Sequence, residues 1–154
     1  MKIRRLAALT GIAILASFGM AVIGTSEASA TGSCSGTITY DHTYNVNGNP
    51  VAEMTIYYNT NNGGTNSACF YHRGAYYGKS EYTSVRIYRC SQHTASPGSA
   101  CTIAASSAPD SGNYAYYAGP VGVTGTANYC VAAVGHMDLT GGGSIDVGTG
   151  ARGC

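Results

Sequence analysis

The 154-residue sequence contains no tryptophan, and only 10% of its residues are charged. Beyond residue 30 there are five basic residues (Arg73, Lys79, Arg86, Arg89, Arg152) against six acidic ones, a net charge of minus one. That balance carries no cationic footprint for nucleic acid and no steering toward acidic membranes. No Cys-x-x-Cys spacing occurs, which excludes a dithiol redox centre of that type and argues against a zinc ribbon. No Gly-x-Ser-x-Gly elbow supports a serine hydrolase. The region beyond residue 30 also lacks any long apolar run of helical period, so a helical bundle is excluded.

What is present begins with an address. Lys2, Arg4 and Arg5 form a positive start, Leu6 to Ile23 is an apolar stretch, and Ala28-Ser29-Ala30 has the small-x-small pattern of a cleavage site. Residues 1–30 therefore read as a secretory signal peptide. No linker follows, so residues 31–154 read as one secreted domain, extracellular or at the cell surface, with no membrane attachment after cleavage.

All six cysteines, Cys34, Cys69, Cys90, Cys101, Cys130 and Cys154, lie in that domain, and an even count after a signal peptide reads as a disulfide framework. Cys90 and Cys101 flank a Pro97-Gly98 turn signal and are expected to bond across a hairpin. Cys34 and Cys154 sit near the two chain ends, which tend to lie close together, and are expected to pair. Cys69 is then left with Cys130. No metal site and no cofactor are expected.

Alternation of period two dominates the domain. In VAEMTIYYN it places Ala52, Met54, Ile56 and Tyr58 on one face, with Val51, Glu53, Thr55 and Tyr57 on the other. In YTSVRIYRC it sets Val85 and Ile87 opposite Ser84, Arg86 and Tyr88. NYCVAAVG is nearly continuous in apolar residues, as for a central strand buried on both faces. SACFYHR, ACTIAAS and GSIDVG are further candidates. Turn clusters separate them at 45–50, 59–66, 96–99, 109–112 and 141–143. About seven or eight short strands at this spacing predict an all-β fold, a disulfide-braced antiparallel β-sandwich, with a small β-barrel as the alternative.

Catalytic chemistry is weakly represented. The four histidines, His42, His72, His93 and His136, carry no triad context beyond the nearby Asp41 and Asp138. Asp41 and Asp110 read as turn residues. Paired carboxylates of glycosidase type have no suggestive context. The tyrosines are the stronger signal, with thirteen in all and doublets at Tyr57-Tyr58, Tyr76-Tyr77 and Tyr116-Tyr117. Strand neighbours point to opposite faces, so each doublet is expected to bury one ring and expose the other. A tyrosine ring has an apolar body and a polar tip, which suits interfaces and sugar faces. Tyr57, Tyr77 and Tyr116 are the candidate binding surface.

The segment DSGNYAYYAGPVGVTGTANYCV resembles the spore-associated protein A family, small secreted proteins of filamentous, sporulating bacteria. The resemblance rests on Asp110, Gly112, Tyr114, Tyr117, Ala118, Gly119, Pro120, Val121 and Cys130-Val131, with Cys34, Cys69 and Cys154 in fitting places. Cys90 and Cys101 look like an added pair, and the tryptophan that often follows the late cysteine in that family is absent here. The resemblance implies location at a spore or hyphal surface and supplies no catalytic residues. It also reads Asp110 to Val121 as a core strand and its turn, shaped by Tyr117 and Pro120, with Tyr116 facing out. The expected function is a secreted, non-enzymatic protein of the spore or cell surface, whose partner is a cell-wall or spore-surface polymer or an extracellular protein. The alternative is an extracellular glycan-binding module or hydrolase inhibitor.

Overall fold

The computed structural model describes residues 32–154, so the expected signal peptide and its cleavage site lie outside the described residues. Among the described residues nine strands form two antiparallel sheets. The first sheet has the order β1 (Thr37–Val46), β2 (Asn49–Asn59), β3 (Thr65–His72), β7 (Tyr117–Thr124). The second is built on β4 (Glu81–Cys90), with β8 (Val131–Asp138) and β9 (Ser144–Gly148) on one side. The other edge of β4 is shared end to end by β6 (Asp110–Tyr114) and β5 (Ile103–Ser106). The sheets face each other without closing into a barrel, so the fold is a disulfide-braced β-sandwich.

The alternations read from sequence form its core. Ala52, Met54 and Ile56 of β2 and Val85 and Ile87 of β4 are buried between the sheets, with Phe70 and Met137 beside them. Gly135 of β8 faces the same layer, and a Cβ there would lie 2.9 Å from both Phe70 and Met54, so the two sheets approach closely at this point. The β1–β2 hairpin turns on Asn47 and Gly48, both at positive φ (50° and 78°), the conformation a two-residue hairpin of right-handed twist demands.

Three expectations about the strands need correction. Strand β8 is central but not buried on both faces: Val134 is 40% exposed, because the outer face of an antiparallel sheet meets water. The apolar run there reflects small alanines, of which Ala132 is covered by the Cys90, Cys130 and Ala151 cluster. Asp41 and Asp110 lie in strands β1 and β6 rather than in turns. For Asp110 the pairing of β6 with β4 overrides local turn propensity. The segment from Asp110 to Val121 is not one strand and its turn. It holds two strands in different sheets, joined at a corner by Ala115 and Tyr116.

The disulfides are Cys34–Cys69, Cys90–Cys101 and Cys130–Cys154. Cys90–Cys101 closes the β4–β5 hairpin as expected, while the other two pairings differ from expectation. Cys69 points out of the first sheet, away from Cys130 in the second. Residues 32–36 cross that outer face, where Ser33 N donates to Ser67 Oγ (3.1 Å), and bring Cys34 onto Cys69. At the other end, Arg152 bridges Val131 by two backbone hydrogen bonds (2.8 and 2.9 Å), which sets Cys154 beside Cys130 rather than Cys34. Three disulfides are characteristic of an oxidising or extracellular environment.

Candidate functional site

The outer face of the first sheet carries a cross-strand row. Glu53 on β2 is opposite Tyr71 on β3, which is opposite Tyr117 on β7. The Tyr71 and Tyr117 rings lie 5.4 Å apart, tilted by 46°. Just past β3, Arg73 folds back over Tyr71, its guanidinium carbon 4.8 Å from the ring centroid. Arg73 Nε and Nη2 donate to the two carboxylate oxygens of Glu53 (2.9 and 2.6 Å), and Nη1 donates to the His72 carbonyl (3.2 Å). The fork-to-fork pair fixes the guanidinium plane. Its hydrogen bond with Arg73 holds the Glu53 carboxyl below the ordinary range, and the same bond raises Arg73. Burial, then the bond to Tyr57, pushes the Tyr71 hydroxyl up.

A second wall comes from the loop after β3 and from the β6–β7 corner. A 3₁₀ turn at Gly74–Tyr76 leads to Tyr77. Gly74 has φ +53°, and any Cβ there would collide with the Pro50 carbonyl, so the turn requires glycine. Two backbone bonds, His72 N to Tyr116 O and Gly78 N to Ala115 O (2.8 Å each), zip the loop to the corner. Tyr77 and Tyr116 thereby meet edge to face, with centroids 5.0 Å apart. They remain 63% and 52% exposed. Tyr71, Arg73, Tyr77, Tyr116 and Tyr117 line a solvent-open groove of about 380 Å³.

Of the sequence candidates, Tyr77 and Tyr116 are brought together in this groove. Tyr57 stands beside it, its hydroxyl 3.0 Å from that of Tyr71, and does not line it. At Tyr76-Tyr77 one ring packs on the core and the other is exposed, but through a 3₁₀ turn and not strand alternation. Within β2 both Tyr57 and Tyr58 are half-buried, so the doublet expectation is not met there. It also fails at Tyr116-Tyr117, where both rings are exposed because Tyr116 is at a corner and Tyr117 begins the next strand on its outer side. Tyr71 and Arg73 were missed, although the parity of SACFYHR, with Phe70 and His72 inward, sets both outward.

The histidines are dispersed. His72 is fully buried, with Nδ1 3.3 Å from the Tyr76 carbonyl and Nε2 2.7 Å from the Thr83 hydroxyl, and burial lowers its pKa. His136 donates from Nδ1 to Asp146 (2.8 Å) and from Nε2 to Asp138 (3.0 Å), and the Asp146 bond chiefly raises its pKa. With both nitrogens engaged, it has no free lone pair for Ser84, its cross-strand neighbour. His93 donates to the Asn128 carbonyl (2.6 Å) and stacks on Tyr129, while His42 rests against the Tyr44 ring. Two Cys-x-x-His spacings exist, Cys69 to His72 and Cys90 to His93, but both sulfurs are in disulfides and unavailable to a metal. Among the described residues no cluster of three or more His, Cys, Asp or Glu could hold a metal ion.

No protein-family model, curated protein or solved structure matches the chain.

Proposed function

We propose that this is a secreted, non-enzymatic protein that attaches to the spore or cell surface through the aromatic groove on its first sheet. The observation that carries the reading is the meeting of Tyr71 and Tyr117 with Tyr77 and Tyr116 around an Arg73 already locked by Glu53. Exposed rings held by backbone bonds lose little freedom on binding, which suits recognition. Both ring nitrogens of His72 and of His136 are engaged in internal bonds, which supports a role without general-base chemistry at those two residues. The three disulfides suit life outside the cell, and the resemblance to the spore-associated proteins adds the surface.

The test is the distribution of the native protein between culture medium, washed hyphae and washed spores of the producing organism. Retention on washed surfaces, reduced for a Tyr77→Ala/Tyr116→Ala variant, is expected. Recovery of the wild-type protein wholly in the medium would overturn the surface role.

A further inference from the structure

We infer that the groove binds a neutral, polyhydroxylated chain, an uncharged glycan, in place of an anionic polymer or a peptide. This rests on the binding role proposed above and names its ligand class.

Charge decides the first part. Among the described residues Arg73 is the one charged residue lining the groove, and Glu53 meets its guanidinium in a bidentate pair at 2.6 and 2.9 Å. An incoming carboxylate or phosphate would have to displace Glu53 or lie beside it, and like charges repel. A cation would face the guanidinium. The ligand that fits the groove without breaking this pair is uncharged.

Hydrogen-bonding capacity decides the second part. A guanidinium has five N–H donors. Three are used on Glu53 and the His72 carbonyl, which leaves two for a ligand acceptor. Among the described residues the phenols that bond within the fold are those of Tyr40, Tyr44, Tyr57, Tyr71 and Tyr114, and the hydroxyls of Tyr77, Tyr116 and Tyr117 are not among them. Each can both donate and accept. Sugar hydroxyls do the same, whereas the prolines of a proline-rich segment present carbonyl acceptors only. Tyr77, Tyr116 and Tyr117 are all exposed and offer apolar ring surface to the C–H face of a pyranose. Because the groove is open to solvent on a sheet face, it accommodates a chain passing across it.

The experiment uses the oxidised secreted protein in depletion assays on insoluble cellulose and chitin. An anionic polysaccharide and a proline-rich peptide are run in parallel. Saturable depletion on cellulose or chitin is expected, unchanged at roughly 1 M salt, where the screening length is only about 3 Å. Tyr77→Ala/Tyr116→Ala should weaken it at least about tenfold, while Tyr82→Ala, an exposed tyrosine on the other sheet, should not. Absence of binding to both neutral polymers, salt-sensitive binding to the anionic polymer alone, or binding of the peptide alone would each overturn the inference. Failure here with the native protein retained on washed cells removes the ligand class and leaves the surface role. Glycan binding with no retention on cells does the reverse.

Discussion

Asp110 on β6 accepts the backbone N–H of Gly119 on β7 at 2.6 Å, a direct bond between the two sheets. Its other carboxylate oxygen accepts the Tyr114 hydroxyl, also at 2.6 Å. One side chain thus closes the corner that carries Tyr116 and Tyr117. Removal by Asp110→Ala leaves the Gly119 N–H without that partner and should cost about 1.5–3 kcal/mol in urea denaturation of the oxidised protein. Asp110→Asn tests the charge alone. The bond to Asp110 pushes the Tyr114 hydroxyl up to about 12. An ultraviolet titration of the Asn variant should show one tyrosine returning toward the ordinary 10.0, and an unaltered alkaline titration would contradict the bond.

Non-reducing peptide mapping should recover Cys34 joined to Cys69 and Cys130 joined to Cys154. The Cys34–Cys69 bridge spans a sequence separation of 35. On chain-entropy grounds a Cys34→Ser/Cys69→Ser variant should lose about 3–4 kcal/mol. Hydrogen exchange should also quicken at Ser33, whose N–H depends on the segment lying across β3. Unchanged protection there would mean the segment is held without the bridge.

Stability should peak near pH 6.5, for two opposed reasons. Burial depresses His72 below its ordinary 6.5, so below that pH the unfolded chain takes up a proton the folded state refuses, and stability falls. His136 is raised above 6.5 by Asp146, so the folded state keeps a proton the unfolded chain has released. Its contribution is complete below 6.5 and is lost as pH rises through the elevated value. Urea midpoints measured across pH should show both limbs. Asp146→Asn should flatten the alkaline one, and a slope surviving that change would assign it elsewhere.

Gly135→Ala should destabilise by about 1–3 kcal/mol, since the new methyl meets the Phe70 ring and Met54 at 2.9 Å in a packed layer. Pairing it with Phe70→Leu should recover part of the loss, because the ring is the stiffer neighbour. A neutral Gly135→Ala would show that the sheets can separate at no cost.

Strand β4 and the Ala52, Met54, Ile56 run of β2 were legible, because one side of each is dry. Val51, read to the opposite face, joins the core cluster, and Tyr58, read to the core face, does not. Strand β1 was overlooked, since Tyr40, His42 and Tyr44 mix aromatic and polar character on the face turned to the core. The β6 strand hid behind Asp110, Ser111 and Gly112, turn-forming types held extended only by β4. Disulfide partners depend on which face each cysteine occupies and on where the chain ends run, and neither is a local property. Tyr77 and Tyr116 could be nominated singly. Their meeting with Tyr71 and Arg73 required a loop and a corner to converge.

The outermost strands are β1 and β7 in the first sheet, and β9 opposite the β5–β6 pair in the second. Strand β1 is irregular at Ile38/Tyr40 and again at Tyr44/Asn45, and β9 is only five residues long, lying between Gly143 and Gly150 with a further glycine at its end. Kinked and short edges offer no flat template for another copy to add a strand. A tyrosine-rich chain of low charge is open to strand-on-strand stacking when crowded, and β1 and β9 are edges poorly shaped for it.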